Sequence, residues 1–244
     1  MIPDWLTILA WISVLLGFAS ALYVIGDLRR HPQHMTIMNV VWPACALFGH
    51  LPVLYAYRQY GRLAADEIAH PAMQKGETPP HKRDTPFPVK VAKGTLHCGS
   101  GCSLGDIVAE WAAFLMPTIA VWLGWKGIFA DKIFAVWVLD YILAFLFGIA
   151  FQYYSIKPMQ DLSPGKALVQ AVKADTLSLT AWQVGMYGFM AFAHFYLFAV
   201  VFGMKLHVDT IHFWFMMQIA MGFGFLTAYP VNWWLIQRGV KEAM

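Results

Sequence analysis

The stretch LHCGSGCSLGD at 96–106 sets two cysteines, a histidine and an aspartate among glycines. In a helix Cys98 and Cys102 are four residues apart and share a face. Asp106 continues that face one turn on, and Glu110 one turn further. His97 lies about a hundred degrees round and still reaches a ligand held by Cys98. Thiolate and imidazole suit Cu(I) or Zn, and a carboxylate suits Zn. His-Cys-x-x-x-Cys is not a C-x-x-C pair, so a metal site competes with a thiol redox pair and with a plain packing face of small residues. A disulfide is disfavoured, because i,i+4 cysteines sit near the upper end of bridging distance and the cytosol is reducing. Packing alone needs no acids, however. The stripe Cys102–Asp106–Glu110 therefore points to an ion or a proton.

Partners for this stripe come from elsewhere in the chain. Asp175, in Ala174-Asp175-Thr176-Leu177-Ser178, is either a helix-start acid or a contributor to the same site. Asn232, His50 and Asp140 are polar positions inside apolar blocks and serve as ion-path or supporting residues. A second, weaker cluster is expected on the outer side from His31, His34, His207, Asp209 and His212, as loop histidines or a transition-metal site. A b-type haem needs two histidines at matching depth. His194 and His212 are offset by about seven residues, roughly 10 Å, so haem is disfavoured as a cofactor.

Long apolar elements must position these residues. The chain is 59% hydrophobic and only 13% charged, with a mean hydropathy of +0.54, against about 25% charge in soluble domains. Six blocks are long enough, or nearly so, to cross about 30 Å of hydrocarbon. They run over 5–25, 37–57, 104–125 (starting as early as 96), 133–154, 177–204 and 211–236. The fold expected is all-α, a polytopic six-transmembrane helix bundle. It divides into an N-terminal two-helix hairpin (1–57), a cytoplasmic loop (58–95) and a four-helix membrane core (96–244). The segment 164–175 is expected as an interfacial helix or as the inner end of the fifth span. With six crossings, twelve Lys and Arg fall on one side and five on the other, which puts both termini in the cytoplasm. The modest net charge of +3 is accounted for by topology, and nucleic-acid binding is a poor reading. No P-loop, Rossmann glycine pattern or H-E-x-x-H occurs, and no nucleophile–base pair stands out, so enzymatic activity stays open.

His97-Cys98-x-x-Gly101-Cys102-x-x-Gly105-Asp106, the later Ala174-Asp175-Thr176-Leu177-Ser178, and Tyr229-Pro230-Val231-Asn232-Trp233-Trp234-Leu235-Ile236 resemble an uncharacterised family of bacterial membrane proteins, domain of unknown function 4396. The resemblance covers about 90–240. It implies that His97, Cys98, Cys102, Asp106, Asp175 and Asn232 belong to one constellation in the inner membrane, and it supplies no activity. The leading expectation is a small transporter or channel binding a metal ion or proton near the cytoplasmic side. The alternatives are an accessory subunit that contacts a membrane-protein partner or a second copy of itself, and a haem or thiol oxidoreductase.

Overall fold

The computed structural model describes residues 2–159 and 163–242. Among these the fold is all-α. Helix α1 is Asp4–Leu28, and α2 is Met38–Ala56, which runs on through a π-turn, Tyr57–Gly61, and a 3-10 turn, Arg62–Ala64. Two short helices follow, α3 (Asp66–Gln74) and α4 (Pro80–Arg83), then α5 (Phe87–Leu115) and α6 (Thr118–Trp122). The rest is α7 (Lys132–Met159), α8 (Pro164–Ala191, continuing as a π-helix through Phe192–Val201) and α9 (Ile211–Gln237). Among the described residues five stretches are long and apolar enough to cross a membrane: Asp4–Leu28, Met38–Ala64, Lys132–Lys157, Pro164–Val201 and Ile211–Gln237. Trp5, Leu15, Leu22, Leu146, Val184 and Leu226 on these stretches stay exposed, a surface suited to lipid. The chain is thus a helical membrane protein.

Helix α5 falls outside that set because its glycines, serines and acids lower its hydropathy. It is nevertheless 29 residues long, and 17 of them are buried. It packs on α2, α7, α8 and α9, so its polar face meets protein rather than lipid. Gly101 and Gly105 permit this closeness. A Cβ at Gly105 would lie 2.5 Å from the Ala144 nitrogen, and one at Gly101 would lie 2.9 Å from Gly148 Cα. The helix starts at Phe87, after Pro86, and ends where Met116 leaves helical geometry (φ −127°, ψ 77°) before Pro117. The span expected over 104–125 is therefore displaced toward the N-terminus, and the cysteines sit near mid-helix rather than at its mouth. The segment 164–175 is the first part of α8. The polar stretch 58–95 carries α3, α4 and the first turns of α5.

The largest departure is in α2. His50 adopts φ 39°, ψ −125° between Pro43 and Pro52, and the chain doubles back there. The rings of Trp42 and Tyr57 meet at 5.5 Å, whereas a straight helix would hold them about 22 Å apart. The two arms close against each other at their open end. His34 N–H donates to Ala64 O (2.9 Å) and Asp66 N–H to Pro32 O (2.8 Å). Tyr57 Oη and Arg62 both donate to Asp27 at the end of α1 (2.6 and 3.1 Å). The reversal frees backbone carbonyls, and Gln218 Nε2 of α9 donates to that of Leu47 (2.7 Å) while Ser13 donates to its Oε1 (2.8 Å). Such satisfaction is what non-helical backbone at membrane depth requires.

Side-chain pairs fix the direction of the remaining helices. Thr7–His212 and Ser13–Gln218 make α1 and α9 parallel. Pro88–Tyr229 and Trp111–Trp214 make α5 antiparallel to α9. Ala113–Lys132 and His97–Ser155 make α7 antiparallel to α5, and Cys98–Asp175 with Asp106–Gln183 make α8 parallel to it. The Asp4 end of α1 and the Gln237 end of α9 consequently lie at opposite ends of the bundle. Among the described residues five candidate spans stand in place of the six expected, and the second apolar block folds back at His50. The expected outer cluster is split for the same reason: His31 and His34 stand at one end, His207, Asp209 and His212 at the other.

Candidate functional site

Near the middle of α5 the Cys98 thiol donates to Asp175 Oδ1 of α8. Its sulfur is also 3.0 Å from Ser178 Oγ. Asn232 of α9 donates through Nδ2 to the same Ser178 oxygen (2.6 Å) and to Ala228 O (2.9 Å). The fifth member comes from beyond α9. Gly239 turns with φ +71°, and the N–H groups of Val240 and Lys241 fold back onto Leu235 O. The Lys241 side chain then enters the bundle, with Nζ 3.4 Å from Gly94 O, Cys98 Sγ and Asp175 Oδ1 alike. Burial works against its charge, and the Asp175 carboxylate 3.4 Å away compensates it. An ion pair this buried is held by mutual dependence, since either partner alone would be an uncompensated charge.

The next turns of α5 carry the acids. Cys102 is fully buried. Asp106 Oδ1 accepts from Gln183 Nε2 of α8 at 3.4 Å, and its Oδ2 has no partner. Asp140 of α7 is fully buried with both oxygens unpartnered. Glu110 is nearly as buried, and the three acids sense one another electrostatically. Beyond them Lys132, whose charge acts on Glu110, donates to Ala113 O (2.9 Å). A polar line thus runs from Lys241 through Cys98 and Asp106 to Glu110 and Lys132. From Cys98 to Glu110 it covers about 18 Å of helical rise.

The remaining expected residues fall off this line. His97 turns toward α7, with Nε2 3.4 Å from Ser155 Oγ and its ring on Phe151, so its polar contact is with α7 rather than with the Cys98 group. His50 sits at the α2 apex beside Gly17, with Nε2 unpartnered. His212 bonds Thr7 (3.0 Å), and His207 O accepts from Thr210 (2.6 Å). His194 packs edge-on to Phe195. His31 pairs with Glu67 and His34 with Asp66, both at 2.7 Å. His34, Asp66 and His70 bring ligand atoms within 4.8 Å of one another on the surface, an arrangement able to hold a metal ion.

Sequence reasoning missed Lys241, Ser178, Gln183, Asp66 and His70. Three of these carried a signal. Asp175 and Gln183 are eight apart on α8, a stripe that mirrors Asp106 and Cys98 on α5, and Asp66 and His70 are an i,i+4 pair on α3. Lys241 carried none, since a lysine after the last helix looks like a topology charge.

Fold and site together define a helical membrane protein whose helix α5 is enclosed by the others and carries a buried line of ionisable groups. The family described as Domain of unknown function (DUF4396) matches residues 89–241, and the chain belongs to that family. The matched region holds every residue of the polar line, while α1 and the α2 hairpin precede it. No curated protein and no solved structure matches the chain.

Proposed function

We propose that the chain crosses a bacterial inner membrane five times, through α1, α5, α7, α8 and α9, with the α2 hairpin re-entrant, and that it moves protons along the polar line of α5. Charge supports this orientation. Fourteen of the seventeen Lys and Arg fall at the end that holds Arg29, α3, α4 and Lys241, leaving Lys126, Lys132 and Lys205 at the other. This is a steeper bias than six crossings allow, and it supports a cytoplasmic Lys241 end. The observation that carries the proton reading is the set of buried carboxylate oxygens without partners on Asp106 and Asp140, beside Glu110. A carboxylate in such a place is balanced by a proton on it or a cation beside it. At the Cys98–Asp175 end the Lys241 ammonium already occupies the cation position, which favours protons over a resident Cu or Zn ion on His97, Cys98, Cys102, Asp106 and Asp175.

The test is proton flux into liposomes holding the purified protein, read with a trapped pH dye. Asp106→Asn and Asp140→Asn should each lower flux at least about tenfold, the low end of what a proton-transfer group contributes, while Asp209→Asn leaves it unchanged. Wild-type flux no greater than that of empty liposomes refutes the reading and leaves the accessory-subunit alternative. Stoichiometric metal in protein purified without an affinity metal, lost in the Cys98→Ala/Cys102→Ala variant, would replace the proton with a metal ion.

A second reading rests on His34, Asp66 and His70. Two imidazoles and a carboxylate suit Zn or another divalent transition ion, and bound there it would clasp the open end of the hairpin. Zinc titration should show one site that His70→Ala removes.

A further inference from the structure

A cavity of about 440 Å³ lies at the basic end of the bundle, between the Gln33–Met38 turn, α3 and α4, the start of α5 and the end of α7. Its walls hold polar side chains that nothing in the fold satisfies. Gln33 and Gln152 are only 4% and 3% exposed. Gln33 has both amide atoms unpartnered, Gln152 its Oε1, and His81 its Nδ1. Native interiors seldom leave so many polar atoms unpaired in one place. The donors facing the cavity are Lys82, Lys93 and Gln33 Nε2, and the open acceptors are Gln33 Oε1 and Gln152 Oε1; Glu242 lines the cavity too and is already engaged. His81 is an acceptor as well. It bonds the Leu63 backbone through its other nitrogen, and burial, then Lys93 and Lys82, push its pKa down to about 4, so Nδ1 is bare near neutrality.

These walls select a ligand. Two lysines repel a cation. A bare anion answers the donors and leaves Gln33 Oε1, Gln152 Oε1 and His81 Nδ1 unpaired. We infer that the cavity binds a small oxyanion that carries its own hydroxyl, such as hydrogenphosphate or an α-hydroxycarboxylate. The negative oxygens face Lys93, Lys82 and Gln33 Nε2, and the hydroxyl donates to Gln152, Gln33 or His81. Ser155 lines the same cavity and touches His97, so the site adjoins the Cys98 end of the polar line, but binding there does not depend on proton movement.

Isothermal titration of the full chain in detergent, at pH 7 in a buffer free of these anions, separates the outcomes. The probes are inorganic phosphate and glycolate, each set against its partner without a hydroxyl, sulfate and acetate. Saturable binding is expected for phosphate or glycolate, at least about tenfold tighter than for the matched control, since a site built around a hydroxyl penalises the analogue lacking one. Whichever of the two saturates identifies the source. Lys93→Met should weaken binding at least tenfold and Gln152→Leu should narrow the gap to the control. If Lys93→Met does not fold, Lys82→Met at the exposed rim replaces it with the same expected loss. Sulfate or acetate binding equally well, no saturation by either probe, or full affinity in the folded lysine variant overturns the inference.

Discussion

The doubled-back α2 can be tested by asking which side of the membrane each of its flanks faces. A straight helix over Met38–Ala64, 27 residues, would be about 40 Å long. That exceeds the roughly 30 Å hydrocarbon core and would put His31 and Asp66 in opposite compartments. Folded at His50, the arms reach about 18 and 21 Å, roughly two-thirds of the core. The 2.7 Å pairs His31–Glu67 and His34–Asp66 exist only if both flanks share a side. Arg30→Cys, Gln74→Cys and Asp209→Cys, made singly, report this with a membrane-impermeant maleimide. The native Cys45, Cys98 and Cys102 are all buried and should stay silent. On intact spheroplasts the D209C protein should label, and R30C and Q74C only after permeabilisation. Labelling of R30C from outside with Q74C protected would restore six crossings and refute the hairpin. Trp42 and Tyr57 could not then be neighbours.

Four further outcomes follow from the surroundings of named residues. Lys241→Met strips a buried partner from Asp175 and should cost about 3–5 kcal/mol in detergent unfolding, most of it recovered in Lys241→Met/Asp175→Asn. Gly105→Val drives a side chain against the Ala144 backbone and should cost about 1–3 kcal/mol or more. Gly222→Ala, which meets nothing within 4 Å, should be neutral or stabilise by up to about 1 kcal/mol. His81 has a folded pKa near 4 against an ordinary 6.5, so between these values the unfolded chain binds the extra proton. Its contribution to stability is complete above pH 6.5 and lost as pH falls toward 4, and His81→Gln should flatten that slope in pH-dependent unfolding.

The helical membrane class was legible because apolar run length is a local property. What the runs do in space was not. Residues 37–57 have the length and hydropathy of a span, and nothing in a hydropathy profile separates a crossing from a hairpin. The cue was the pair Pro43 and Pro52 around Gly49-His50. A hairpin there also regroups the loops, since His31 and His34 lie at the opposite end of the bundle from His207 and His212. The α5 stripe was legible because i,i+4 spacing is enforced by the helix itself, and its alignment with Asp175 and Asn232 came from the family resemblance. Lys241 was out of reach. Its role depends on Gly239 bending the chain after α9, and a positive φ at a single glycine leaves no periodic trace.

The composition of α5 then has a physical explanation. A helix carrying Cys98, Cys102, Asp106 and Glu110 could not face lipid, where a charge near the bilayer centre costs at least about 2.5–3.5 kcal/mol. Four surrounding helices cover it, and they approach closely only because Gly101 and Gly105 give α7 backbone contact. Gly99 does the same for Trp182 of α8, whose indole also fills the space a Cβ at Gly224 of α9 would need. The glycines and the acids are therefore parts of one arrangement rather than competing readings of the same stretch. Small residues remove lipid from around the acids, and enclosure makes the acids' protonation state responsive to the few groups that reach them. Those groups are Gln183 beside Asp106, Lys132 acting on Glu110 at one end, and Lys241 on Cys98 and Asp175 at the other. Enlarging Gly105 should then disturb proton movement as well as stability. A variant that kept wild-type flux with α5 and α7 forced apart would separate the packing from the chemistry.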